Sequence, residues 1–294
     1  MLSLFSRTML PISRAFHFDA VAPAPHLVRA VTARIAAQPV AHHRAGRRTS
    51  THALLADAHG VWAWSPRDSH AAATRHATME DWMSTHSGCD LRLWVAGQFV
   101  HSLARTSVPT LEDDETLHSR ARCDLVEQHG QSAAKWTLAT WKNVTARGVC
   151  ALAGIDLAAL TEHGRRHGVR VRSVVPWWYH AFQEAKRCVN ALNDAPSGNV
   201  CVVEGRQIAW ISTTCGLLAD VCQVRVDDNS IEALGEAIGR LTRHSGDSLK
   251  ATVVLGHGLK DGARTRPLNA TVLGRLDGEQ PPQWLRPSER IERH

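Results

Sequence analysis

The chain has 294 residues, 44% of them hydrophobic and 21% charged. That length and composition can bury a core without disulfide or metal staples, and they exclude a chain disordered throughout. The net charge of +6 is unevenly placed: residues 1–50 carry seven arginines and one acid, Asp19, while the remainder carries 27 basic and 27 acidic residues. A nucleic-acid-binding body would carry the excess itself, so nucleic acid is not expected as a partner.

No run of 18 uninterrupted apolar residues occurs, so no membrane-spanning helix is expected. Seven cysteines are scattered singly, without a C-x-x-C pair. This fits a reducing compartment and argues against a zinc ribbon.

In residues 1–18, Leu2, Phe5, Met9, Ile12 and Phe16 step by three and four, as on one helix face, with Arg7 and Arg14 off that face and Pro11 interrupting. Residues 1–50 are expected as a basic, weakly ordered tail able to lie on an anionic membrane surface. A transit peptide is the other reading of the same pattern. The linker at 41–50 holds His42 and His43, without further metal ligands nearby.

From residue 51 the punctuation is regular. THALLAD predicts a strand, His59-Gly60 a turn and Val61–Trp64 a second strand. A helix is expected over 71–86, and strands over Leu91–Ala96 and Gln98–Arg105. Thr110 and Asp113 suggest a capping box for a helix carrying Leu117, Ala121 and Leu125 inward and ending at Gly130. The acids at 112–115 suit the positive end of its dipole. Val149–Ala153 reads as a strand. Asp156 caps a helix to His167, with Gly168 as its stop. His163 and His167 have the i, i+4 spacing of a zinc pair but lack the H-E-x-x-H glutamate. Val169–Val175 is a strand, and Pro176 opens a helix with Trp177, Trp178 and Phe182.

After APSGN at 195–199, strands are expected at Val200–Glu204, Gln207–Thr213 and Val221–Val226. A Ser230-capped helix with Ile231, Leu234, Ile238 and Leu241 inward follows, then a strand Ala251–Leu255 and Gly256-His257-Gly258. Residues 277–294, with three prolines among charges, are expected as a loose tail. Hairpin, helix and strand in both halves predict a duplicated α/β protein of mixed sheets with flanking helices.

The stretch VAGQFVHSLARTSVPTLEDDETLHSRARCDLVEQHG, then QSAAKW, RRHGVRV and VVPWWYHAFQEAKR, resembles the PilM-type actin-like proteins of type IV pilus loci and the cytoplasmic domain of the type II secretion L protein. The resemblance covers residues 51–258. It implies an actin-like, duplicated RNase H-like fold of two lobes, 51–198 and 199–276. It also implies a nucleotide cleft in full members and a partner that is an inner-membrane pilus or secretion protein. The chain would then be cytoplasmic and peripheral to the inner membrane.

An actin-type site needs Asp-x-Gly hairpins whose amides hold phosphates. Here the first turn is Asp57-Ala58-His59-Gly60, the second Val203-Glu204-Gly205-Arg206, and the adenosine turn Gly256-His257-Gly258. Asp57, Gly60, Glu204, Gly205, Gly256 and Gly258 therefore form a vestigial nucleotide site. No cofactor, no metal and no catalytic residue are expected, and the chain reads as a pseudo-ATPase scaffold. An active ATP-using enzyme of the same superfold is the alternative. Walker, Rossmann and G-x-S-x-G signatures are lacking. Trp177 and Trp178 are adjacent on a helix, so one is expected in the core and the other, with Tyr179 or His180, in a partner-binding groove.

Overall fold

The computed structural model describes residues 50–64, 73–105, 113–142, 147–244, 251–260, 268 and 270–286. The expected N-terminal tail, His42 and His43, Thr110 and the last eight residues lie outside them. Two five-stranded sheets share one construction. The first comprises β1 (Thr51–Asp57), β2 (Gly60–Ala63), β3 (Thr74–His76), β4 (Asp90–Val95) and β8 (Arg170–Pro176), ordered β3-β2-β1-β4-β8. The second comprises β9 (Ser197–Glu204), β10 (Gln207–Thr214), β11 (Leu217–Arg225), β12 (Thr252–His257) and β13 (Thr271–Val272), ordered β11-β10-β9-β12-β13. In each, an antiparallel three-strand meander is followed by two parallel strands. Each sheet thus has the RNase H-like order 3-2-1-4-5, and its repetition makes the mixed α/β, actin-like fold that the sequence implies.

Helices fill the layers between and outside the sheets. α1 (Met79–Thr85) and α3 (Leu157–His167) pack on the outer face of the first sheet, burying Trp82 and Met83 against Leu54, Leu91 and Leu93. α6 (Ile231–His244) covers the second sheet through Ile231, Leu234 and Ile238. Between β4 and β8 the chain inserts β5 (Val100–Arg105), α2 (Asp114–His129), β6 (Thr137–Lys142) and β7 (Arg147–Leu152). These strands form a separate sheet, β5-β7-β6, with Leu117, Ala121 and Leu125 of α2 buried against it.

α4 (Trp177–Cys188) is followed by the short α5 (Ala191–Asp194) and lies between the two five-stranded sheets. The central strands are covered on both faces: Leu54 belongs to the outer core and Leu55 to the core around α4. This is why THALLAD and NVCVVE read as continuous apolar runs rather than alternating ones.

Several expected boundaries move. The helix expected over 71–86 starts late: Thr74–His76 is β3, paired with β2, and the Thr78–Asp81 capping box starts the helix only at Met79. Residues 97–99 form a 3₁₀ turn before β5. Asp113, whose side chain accepts from Thr116 N–H at 2.7 Å, caps α2. Pro176 ends β8 and stands at the N-cap of α4, one place earlier than expected. β6 and β13 are additions. Within 277–286 the chain is anchored, because a 3₁₀ turn at Gln283–Leu285 buries Leu285 in the core between the sheets.

Candidate functional site

β1 and β9 occupy equivalent central places in the two sheets and end in Asp57 and Glu204, the positions at which the sequence resemblance sets the expected phosphate turns. Each turn has been turned inward on the chain's own groups. The Asp57 carboxylate accepts from the turn amide of His59 at 2.7 Å and from Trp62 Nε1 at 2.6 Å. A phosphate would need that same amide. Arg75 Nε donates to the turn carbonyl of His59 at 2.8 Å, and Gly60 lies against the carbonyl of His76.

The second turn is closed in the same way. Gly205 N–H donates to His257 O at 2.8 Å, Gly258 N–H to Gly278 O at 2.8 Å, and Asn229 Nδ2 to Gly258 O at 2.8 Å. Gly256 and Gly258 have φ of +137° and +91°. A Cβ on Gly258 would come within 2.6 Å of Gly205 N, and one on Gly256 within 2.0 Å of Val203 O. Gly256 lets β12 approach β9 closely beside Val203, and Gly258 lets the turn after β12 pack on the Gly205 turn.

Glu204, at the end of β9, then reaches the segment that follows β4 of the first sheet. Its two carboxyl oxygens accept from Gly97 N–H at 3.1 and 3.0 Å, and Gln223 Nε2 donates to Gly97 O at 3.1 Å while its Oε1 accepts from Ser102 N–H at 3.1 Å. A Cβ on residue 97 would meet Glu204 Oε1 at 3.0 Å, so glycine is what lets this segment approach. Burial pushes the Glu204 carboxyl up to about 8; the Gly97 hydrogen bond opposes this, and the nearby charge of Asp57 adds to it. Glu204 is therefore a neutral acid at pH 7.

His257 stands in register beside Glu204 on the neighbouring parallel strand, edge-on to Trp177 at 5.0 Å. Burial lowers its imidazole to about 4, so it too is neutral. Among the described residues no group of three or more His, Cys, Asp or Glu is arranged to hold a metal ion.

The residues expected to form a vestigial nucleotide site thus lie at the ends of β1, β9 and β12 and in the turns that follow them. The aromatic candidates behave differently. Trp177 is 0% and Trp178 1% exposed, so the expectation that one would face a partner is wrong. α4 is flanked by a sheet on each side, and both stripes, Trp177-Ala181-Ala185 and Trp178-Phe182, are core. Tyr179 is half-buried against Trp178, and burial raises its hydroxyl pKa. His180 packs edge-on to Trp94 at 5.9 Å.

A groove of about 360 Å³ opens instead beside the β1–β2 turn, between α1, α3 and the stem of the inserted sheet. Met79, Met83, Phe99, Ile155 and Leu160 give it an apolar lining, and Asp57, Glu80 and Asp156 place carboxylates around it. His163 lies 3.3 Å from Glu80. Gly97, Gln223 and this groove escape a reading of the sequence because their partners lie far along the chain, 107 residues apart for Gly97 and Glu204.

Solved structures similar to this one include the cytoplasmic domain of EpsL, an inner membrane component of the type II secretion system of Vibrio cholerae. It shares 13% identity over 80% of this chain and 91% of that chain, with a TM-score of 0.45. A Bacteroides thetaiotaomicron protein with an actin-like ATPase fold is similar at 8% identity over 74% and 84%, with a TM-score of 0.46. The structure of a PilM–PilN type IV pilus biogenesis complex matches at 13% identity over 61% and 68%, with a TM-score of 0.41. No protein-family model matches the chain, and no curated protein matches it by sequence.

Proposed function

We propose that the chain is a non-catalytic actin-like scaffold of a type IV pilus or type II secretion-type machine. In this reading it acts in the cytoplasm at the inner membrane and binds a cytoplasmic segment of an inner-membrane partner. The carrying observation is that the amides of His59, Gly205, Gly258 and Gly97 all donate within the chain, two of them to the carboxyls of Asp57 and Glu204 and two to backbone carbonyls. A nucleotide would have to break these bonds, at about 1–3 kcal/mol for each group left unpaired. Its phosphates would also meet the Asp57 carboxylate rather than a donor. The machine to which the scaffold belongs follows from the sequence resemblance.

The groove beside α1 and α3 suits the partner segment. Cytoplasmic segments next to a membrane span are rich in Lys and Arg. An apolar floor edged by Asp57, Glu80 and Asp156 complements a short extended segment of apolar and basic residues. The scaffold reading is tested by thermal unfolding with and without millimolar Mg-ATP. No change in Tm is expected. A magnesium-dependent rise of several degrees, the size produced by ligand well above its Kd, would favour the ATP-using alternative.

A further inference from the structure

α1 and the strands beneath it carry a cluster of imidazoles that the scaffold reading does not use. His86, the C-cap of α1, stacks on Trp82 with ring centres 4.5 Å apart. The His52 ring of β1 stands edge-on to both, 5.5 Å from Trp82 and 5.4 Å from His86. His76, the last residue of β3, stands edge-on to His86 at 6.2 Å. The titratable rings therefore form a row with His86 in the middle. His86 Nδ1 is 2.9 Å from the carbonyl of Trp82, which can only accept, so this nitrogen carries the proton of the neutral ring. Nε2 is left to take up a second proton. His52 Nε2 has Ser50 Oγ at 3.2 Å.

Among the described residues, the carboxylates on this face are already engaged. Asp81 favours a proton on His76, but it also closes the capping box of α1, accepting from Thr78 N–H at 3.0 Å. Glu80 lies 3.3 Å from His163 of α3. Cys89, just before β4, is a buried thiol with its pKa raised by burial. Asp90 is held by Arg170 and Arg172, and strand alternation sends it to the other face of the sheet, where Arg75 lies over Trp62. Burial lowers the pKa of His52 and of His76, and a charge on His86 lowers both further.

The cluster brackets one wall of the groove. Ala77, Thr78, Met79, Glu80 and Met83 line that wall, and all of them lie between His76 and His86 in the chain. α1 has seven residues and buries two of them, Trp82 and Met83. A helix this short has no stability of its own and depends on those contacts.

We propose that His52, His86 and His76 form a proton-operated release of α1: in weak acid, imidazolium charges repel along the row and α1 opens locally, taking the groove wall with it. The closed arrangement keeps His52 and His76 from protonating, so an opened α1 binds more protons, and opening is favoured as pH falls below 6.5, the ordinary imidazole value. The consequence for a partner rests on the groove reading. The release itself is measured without a partner, so the two can fail separately.

The experiment is hydrogen exchange of the full chain at pH 7 and pH 5, corrected for the intrinsic pH dependence of amide exchange and read by mass spectrometry on peptides covering 77–86. Opening of this segment should rise roughly tenfold between the two pH values, with α6 and the second sheet unchanged. His86→Asn sets an amide N–H near the place of Nδ1 and cannot ionise; it should cut the rise to less than about threefold. His129→Asn, on α2, removes a histidine from another element and should leave the full rise. Should His86→Asn already be open at pH 7, His76→Gln carries the same test. An equal degree of opening at pH 7 and pH 5 in the wild type, a full rise in the cluster variant, or a rise shared by every segment of the chain would each overturn the proposal.

Discussion

Glu204→Gln isolates one of the contacts that tie the second sheet to the segment at Gly97. In the folded protein the Glu204 carboxyl titrates at about 8, against an ordinary value of 4.5, because its acid end is enclosed beside Asp57. The folded state therefore holds a proton that the unfolded state has released at every pH between these values. Stability must fall as pH rises through that window, by about 1.4 kcal/mol per unit for this group, and level off above pH 8. The full effect is of the order of 3–5 kcal/mol. Glutamine can still accept from Gly97 N–H but cannot ionise. The variant should match the wild type near pH 4.5 and exceed its stability by several kcal/mol at pH 8.5.

Urea unfolding of both proteins at pH 5, 6, 7 and 8 measures the difference directly. Asp220, pushed up to about 7 by burial, adds a slope of the same sign. His257, lowered to about 4, adds one of opposite sign, because its stabilisation is lost as pH falls below 6.5. Both are present in wild type and variant and cancel in the comparison. If the two stability curves run parallel across pH 5–8, Glu204 is not a buried neutral acid and the closed cleft is misjudged.

The wedge position of α4 predicts that Trp177→Ala and Trp178→Ala each cost about 3–5 kcal/mol in urea unfolding. A variant within about 1 kcal/mol of wild type would return that tryptophan to the surface. At the groove, Glu80→Arg reverses one exposed rim charge. It should lower Tm by no more than a few degrees, through the lost contact with His163 and the reversed charge in the first turn of α1, and weaken binding of a labelled peptide from the partner's cytoplasmic segment by roughly tenfold, read by fluorescence anisotropy. Undiminished affinity would move the partner to another surface.

Much of the fold is legible in the sequence because both five-stranded sheets are built from local signals. His59-Gly60 and Gly205-Arg206 mark hairpins, Asp156 and Ser230 cap helices, and Gly168 stops one in the left-handed region. The errors fall where a local pattern supports two structures. Ala73 to Thr85 suits a helix throughout, yet Thr74–His76 gains more by adding a third strand to β2, and only that pairing, invisible in the sequence, decides between them. β6 is missed for a related reason. TLATWK follows a helix and a 3₁₀ turn, and its pairing with β7 sets it in the inserted sheet rather than in a lobe.

The sequence names residues for the expected site but not their geometry. In the sequence Asp57, Glu204, Gly205, Gly256 and Gly258 stand as departures from a phosphate-binding pattern; in the structure Gly205 lies against His257 and Gly258, and Asp57 lies near Glu204. What the spacing could not convey is how each departure is satisfied: Asp57 folds back onto its own turn, and Glu204 reaches across to Gly97. The tryptophan pair shows the opposite failing. Taken singly, adjacent residues on a helix point about 100° apart, which suggests one buried and one exposed. The full spacing of WWYHAFQEAKRC carries two neighbouring apolar stripes, 177-181-185 and 178-182, wide enough to be covered from two sides. A duplicated fold supplies two sheets, and the helix between them must bury both stripes. In the proposed reading the groove beside α1 and α3 takes the partner, and Asp57, Glu80 and Asp156 around its apolar lining favour a segment that carries basic residues.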